Sequence, residues 1–244
     1  LMVKCEDRQV TGSFKVRGAA NALLGRREEA GRRGVIAASA GNHGLGVAFA
    51  AHATGGEATV FVPAGAVQRK VEGIRRLGAC VVEVPGGYAA AEAAAQHAAT
   101  ACGGVWISPY NDLDVIAGQG TVGLELAQGL RRLPGRVDVY VPVGGGGLIA
   151  GVASALRHAG VAARVIGVQP EASPYLYVHH TGQQRGDVVE QPTIADGLSG
   201  DVEEGSVTLE LVDELVDEMR CVSEDEIKAA AGWSIAELGE EIEP

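Results

Sequence analysis

At 244 residues, with 46 % apolar and only 4 % aromatic side chains, the chain is long enough to bury a core of small residues, and wholesale disorder is excluded. A formal net charge of −11 argues against nucleic acid, whose phosphates require a basic footprint. No apolar run reaches the ~20 residues of a membrane span, no signal peptide opens the chain, and Cys5, Cys80, Cys102 and Cys221 are scattered without a C-x-x-C pair, which fits reduced thiols in a cytoplasmic protein.

The opening "LMVKCE" reads as a strand. "GVIAAS" reads as a buried strand, followed by a helix over 44–52. "ATVFVP" is the next strand and 67–77 the next helix; then come "CVVEV", the alanine-rich helix "AAAEAAAQHAATAC" and the strand "GVWISP". After Asn111 follow the amphipathic "VIAGQGTVGLELAQGL", the strand "VDVYVPV", a helix over 148–157 and the strand "ARVIGVQP". The acid-rich stretches after residue 200 read as solvated helix faces. Short apolar β runs alternating with helices imply an α/β fold: open, mainly parallel twisted sheets with helices on both faces. Residues 37–111 form a self-contained strand–helix series that ends in the loop-forming "SPYNDLD". They are expected to make a small lobe inserted into a larger one formed by 1–36 and 112–244.

"VDVYVPVGGGGLIAG" carries the most chemistry. A strand ends at Val143, four glycines follow (Gly144, Gly145, Gly146, Gly147), and an apolar helix begins at Leu148. A helix N-terminus presents unpaired N–H groups and the positive end of its dipole, and glycines let backbone close on a bound group. The product is a phosphate-sized anion site. It is not a Walker A loop, since G-x-x-x-x-G-K-[ST] is absent. A second strand-to-helix turn, "SAGNHGLGVAFAAH", offers backbone N–H groups plus Ser39, Asn42 and His43, which suits a carboxylate or a polar ring substituent. His43 alone is more often a structural hydrogen bonder than a catalyst. Dinucleotide binding is disfavoured, because "ATVFVP" does not end in the acid that would hold a ribose. The pair His179–His180 reads as a polar loop, since adjacent residues rarely converge on one ion.

"SFKVRG" places Lys15 beside Phe14. A phosphate cradle, a carboxylate-sized cradle and a lysine next to an aromatic are together what pyridoxal 5'-phosphate requires: an anchor for its phosphate, an amine for a Schiff base, and a seat for an amino-acid carboxylate.

"KCEDRQVTGSFKVRGAAN", "SAGNHG", "VIAGQGT", "PVGGGGLIAG" and "TIADGL" occur in the order found in fold-type II pyridoxal-phosphate enzymes of the serine/threonine dehydratase group, and the chain resembles that family over essentially its whole length. The resemblance implies a tryptophan synthase β-like fold and elimination of water from L-serine or L-threonine, giving a 2-keto acid and ammonia. By the same resemblance, Lys15 holds the cofactor and then acts as base at the substrate α-carbon. Phe14 packs beside the ring and Asn42 bonds its hydroxyl oxygen. Ser39, Ala40, Gly41, Asn42 and His43 surround the substrate carboxylate, Gly144 to Gly147 with Leu148 hold the phosphate, and Gly197 and Glu243 lie near the ring. Racemases of the group use a serine opposite the lysine; here that position is Ala40, which has no proton to give. A cation site of some relatives would need acids where Gln169 and Tyr175 stand, so no metal is expected. Tyr110 is a candidate for substrate-size selection. A possible homodimer is expected from relatives, with no nucleic-acid or membrane partner. Relative to the family both ends look trimmed, so the chain reads as the middle of a longer enzyme. Racemisation, another fold-type II activity and an inactive fragment stand as alternatives.

Overall fold

The computed structural model describes residues 1–239 and 243. Two compact units follow one another along the chain, Leu1–Gln119 and Gly120–Pro244.

The first unit is built on four parallel strands: β1 (Val35–Ala38), β2 (Ala58–Pro63), β3 (Cys80–Val84) and β4 (Val105–Trp106), in the order β3-β2-β1-β4. Side chains alternate across a strand, and here the alternation divides two cores. Val35, Ala37, Val60 and Val62 face a cluster that includes Ala19, Ala22 and Leu23 of α1 (Lys15–Gly25). The same cluster takes in Val47, Ala48 and Ala51 of α3 (Asn42–Thr54) and Val71 and Ile74 of α4 (Gln68–Arg76). Ile36, Ala38 and Phe61 face the other side, onto Ala95 and Ala99 of α5 (Tyr88–Cys102). The sheet is therefore covered on both faces, and its small residues let helices lie close. Helices α3 and α5 stop at Gly55 and Gly103, both left-handed at φ +71° and +67°, a conformation glycine adopts without a β-carbon penalty.

Helix α6 (Leu113–Leu130) carries the chain from the first unit into the second. The second unit holds parallel strands β5 (Val137–Pro142), β6 (Ala163–Pro170) and β7 (Glu218–Val222), in the order β5-β6-β7. Helix α7 (Gly147–His158) packs on β5 and β6 and against α9 (Val207–Leu215); α8 (Tyr175–His180) packs on β7 and α9. One face of the sheet carries an ion-paired group: Arg164 with Asp138 and Glu218, and Arg220 stacked on Tyr140. Helix α10 (Glu224–Trp233) opens with a capping box at Ser223 and Glu226.

Four local expectations change. Residues 1–6 form no strand; Leu1, Met2 and Val3 are exposed, and the segment is held through Glu6, which accepts from Arg17 at 2.7 Å. The stretch after Leu24, where the sequence pattern marks no element, is helix α2 (Arg27–Arg33). "GVWISP" is strand only over Val105–Trp106, because the chain turns away at Pro109. The acidic C-terminal stretch contains a strand, β7, as well as helices.

Candidate active site

In the first unit the candidate residues are assembled around α1. Lys15 opens that helix, and Ser13 Oγ accepts from its N–H at 3.3 Å. Its Nζ lies 5.2 Å from the centroid of the Phe14 ring and donates to the Pro109 carbonyl at 3.0 Å. Part of the side chain keeps contact with solvent, yet the amine itself is buried. That burial alone pulls its pKa from 10.5 down to about 8, since desolvation disfavours the charged form. A large fraction of the amine is then neutral near pH 8, the state in which it can act as nucleophile or base.

Helix α1 is fastened along its length to one stretch of chain. Lys15 reaches Pro109, Asn21 Nδ2 donates to the Asp114 carbonyl at 2.7 Å, and Arg26 forms a two-pronged pair with Asp112 at 2.7 and 2.8 Å. Gly18 and Gly118 make this possible. A β-carbon on Gly18 would lie 2.8 Å from the Val115 carbonyl oxygen, and one on Gly118 would lie 2.5 Å from that of Arg17. The glycine of "VIAGQGT" thus serves helix-on-helix packing.

The 39–46 turn joins β1 to α3. Ser39 Oγ accepts from the Gly41 N–H at 3.0 Å. Gly41 caps α3 with no side-chain bond, leaving that helix start to backbone groups. Gly44 sits so close to the Ser39 carbonyl that no β-carbon fits, and a β-carbon on Gly46 would lie 3.1 Å from the Lys15 carbonyl oxygen. Gly46 therefore brings α3 directly onto the backbone of the lysine. His43 is 3 % exposed. Its Nε2 bonds the Ile107 carbonyl at 2.9 Å, which fixes the Nε2–H tautomer, while Nδ1 has no hydrogen-bond partner. Burial first, then the nearby charge of Lys15, pushes its pKa to about 3. His43 therefore stays neutral near neutral pH, and its lowered basicity makes it a poor proton acceptor. Ala40 packs beside the core cluster. A hollow of about 220 Å³ at the far end of α3, lined by Ala48, His52, Gly55 and Leu77, contains neither lysine nor carboxylate and is not this site.

The second unit carries a candidate feature of its own, its glycine turn. Gly144 follows β5, and Gly146 caps α7 at φ +87°. A β-carbon on Gly144 would lie 3.2 Å from Leu198 Cα and 3.4 Å from the Gly197 carbonyl oxygen, so the turn brings two of the expected residues, Gly144 and Gly197, together. One on Gly146 would lie 3.0 Å from Thr208 Cβ and 3.1 Å from Leu176 Cδ1. Ser206 and Thr208, bonded to each other at 2.9 Å, are fully enclosed under the turn. Sequence reasoning passed over both, although a serine before the apolar run "VTLEL" is a helix-start signal. Glu243 is exposed. Gln119, also passed over, is buried with its amide lacking a partner. Among the described residues, no group of three His, Cys, Asp or Glu could hold a metal ion.

A buried amine of lowered pKa and a side-chain-free, positively polarised helix start are the two features a phosphorylated aldehyde would need, and both are present. The chain matches the family described as pyridoxal-phosphate dependent enzyme over residues 1–244. It belongs to that family. L-threonine ammonia-lyase of Geobacter sulfurreducens is 43 % identical over 230 residues, covering 93 % of this chain and 56 % of the relative. The chain thus spans little more than half the length of that relative. Among solved structures, the processed form of threonine deaminase isoform 2 from Solanum lycopersicum superposes with a TM-score of 0.88 at 35 % identity, covering 98 % of this chain and 69 % of that one. Serine racemase from Dictyostelium discoideum gives 0.86 at 34 % identity, covering 98 % and 76 %. The fold-type II architecture expected from the motifs is the architecture found.

Proposed function

We propose that the chain carries the elimination of water from L-serine or L-threonine, releasing a 2-keto acid and ammonia, within a pyridoxal-phosphate ammonia-lyase. The observation that carries the reading is the Lys15 amine, buried, held at Pro109 and brought down to a pKa of about 8. The names of the curated relatives support the reaction class. When bound, the cofactor supplies an electron sink that spreads the negative charge left at the substrate α-carbon.

The chain's residues do the rest. Lys15 would hold the cofactor through its amine, and Nζ is the atom that would take the substrate α-proton; its lowered pKa keeps a neutral fraction available near neutral pH. Phe14 flanks the ring. Asn42 orients the ring hydroxyl. The 39–43 turn receives the substrate carboxylate at the start of α3, where the helix dipole favours negative charge. Gly144, Gly145, Gly146, Gly147 and Leu148 offer backbone N–H groups to the phosphate at the start of α7, with Gly197 and Glu243 completing the ring's surroundings. Ala40 cannot return a proton to the α-carbon, which favours elimination over racemisation even though a serine racemase is among the similar structures. The four free cysteines support a reducing, cytoplasmic setting, and a homodimer is the assembly proposed.

Borohydride trapping of the cofactor followed by peptide mapping tests the core of this reading. The label is expected on Lys15 and is expected to vanish in Lys15→Ala; a label on another lysine overturns it. Keto-acid formation from serine and threonine, with chiral analysis of unreacted substrate, separates lyase from racemase.

A further inference from the structure

The turn after β4 is restrained at successive positions, and one of the restraints is the candidate lysine itself. Ile107 donates its N–H to Ile36 of β1 at 3.0 Å and accepts from His43 Nε2 at 2.9 Å. Ser108, fully enclosed, accepts on Oγ from the Asn111 N–H at 3.0 Å. Pro109 follows with its φ fixed by the ring, and its carbonyl accepts from Lys15 Nζ. Beyond it, Asp112 closes the series on Arg26.

We propose that His43 is a positioning residue for Lys15: through Ile107 it fixes the 107–111 turn, and the Pro109 carbonyl of that turn is the rest position of the lysine amine whenever the amine is not covalently engaged. This rests on Lys15 being the cofactor lysine. With one N–H spent on Pro109, the remaining hydrogen and the lone pair of the neutral amine are turned away from the carbonyl. A proton can be taken up without breaking that bond. The imidazole suits the task because its buried ring stays neutral and keeps one tautomer. An ionised histidine at this point would place a second positive charge near Lys15. Among the described residues, the other charged group that acts on His43 is Asp112, whose carboxylate is engaged by Arg26.

The test reads the lysine directly. Full-length chain freed of cofactor is labelled with acetic anhydride across pH, and the extent of labelling at Lys15 is read by mass spectrometry. The unsubstituted chain is expected to give a midpoint near 8. His43→Ala is expected to raise the midpoint by about one unit as water reaches the amine. His43→Gln, which keeps a donor for the Ile107 carbonyl, is expected to restore it. Ser108→Ala, which removes a different restraint on the same turn, is expected to shift it in the same direction. A merely structural role for His43 would lower the unfolding midpoint and leave the Lys15 titration unmoved; a folded His43→Ala with an unchanged midpoint overturns the proposal, and so does an unchanged Ser108→Ala if His43→Ala does not fold. Neither cofactor nor turnover enters the measurement. Failure here is therefore distinct from failure of the lysine assignment, which would appear as borohydride label on a different residue.

Discussion

At the scale of single residues, the glycines of the second unit are not interchangeable. Gly146 combines a left-handed φ of +87° with a β-carbon position 3.0 Å from Thr208 Cβ, whereas Gly182 has φ +75° and open space around it. Alanine at either position forces a strained backbone, a penalty of about 1–2 kcal/mol. Only at Gly146 must Thr208 and Leu176 also give way, and only there does the helix start of α7 move. Gly146→Ala is therefore expected to weaken pyridoxal phosphate binding at least about tenfold, corresponding to ~1.4 kcal/mol, while Gly182→Ala loses stability with cofactor affinity unchanged. Equilibrium dialysis against the cofactor, paired with urea unfolding, separates the two. The tetraglycine run was readable as a candidate anion cradle because strand, glycines and apolar helix are contiguous in sequence. The role of His43 was not, because its partner is a carbonyl 64 residues away.

At the scale of elements, what was legible followed local pattern. Strands β1, β2 and β3 and helices α3, α4 and α5 stood out because apolar runs end at glycines. Strand β7, "EMRCV", carries two charges in five residues; its glutamate and arginine pair on the sheet surface, so periodicity alone did not mark it. "LMVKCE" has the apolar content of a strand, but among the described residues no neighbouring strand pairs with it. Helix α1 is amphipathic only in combination with the glycines that let α6 and α3 approach it, and that requirement is tertiary. Its fastening depends on Asp112, which takes both prongs of Arg26 and accepts from the Asp114 N–H at 2.9 Å at the start of α6. The Asp112 side chain is only 7 % exposed and that of Arg26 28 %, so the pair is screened less than a surface bridge. Asp112→Asn keeps the helix-start acceptor and removes the charge. It is expected to destabilise the first unit by about 1–3 kcal/mol. Fluorescence of Trp106 in β4, recorded with Trp233→Phe as background, reports that unit.

At the scale of the whole molecule, two buried basic groups shape stability against pH in the same direction. His43 binds its proton near pH 3 in the folded chain and near 6.5 unfolded; Lys15 binds near 8 folded and 10.5 unfolded. In both intervals the unfolded chain holds more protons, so stability rises with pH from about 3 to 6.5 and again from about 8 to 10.5. The acid limb is shared with Glu6, whose carboxyl is held below its usual range; burial opposes this, but bonds from Arg17 and Lys4 outweigh it. The alkaline limb belongs to Lys15 in the cofactor-free chain, and it runs against the common expectation of declining stability above neutrality. Unfolding of the first unit in urea, followed by Trp106 from pH 7 to 10, is expected to show a rising midpoint. Lys15→Met is expected to flatten that rise and to stabilise the unit at pH 7 by up to about 3 kcal/mol, the value of a 2.5-unit difference in proton affinity at 1.36 kcal/mol per unit. A stability gain on removing this amine is what the proposed role of Lys15 predicts, because a fold that needs the amine for chemistry tolerates a desolvated cation there. A flat alkaline profile in the unsubstituted chain would place the amine in water.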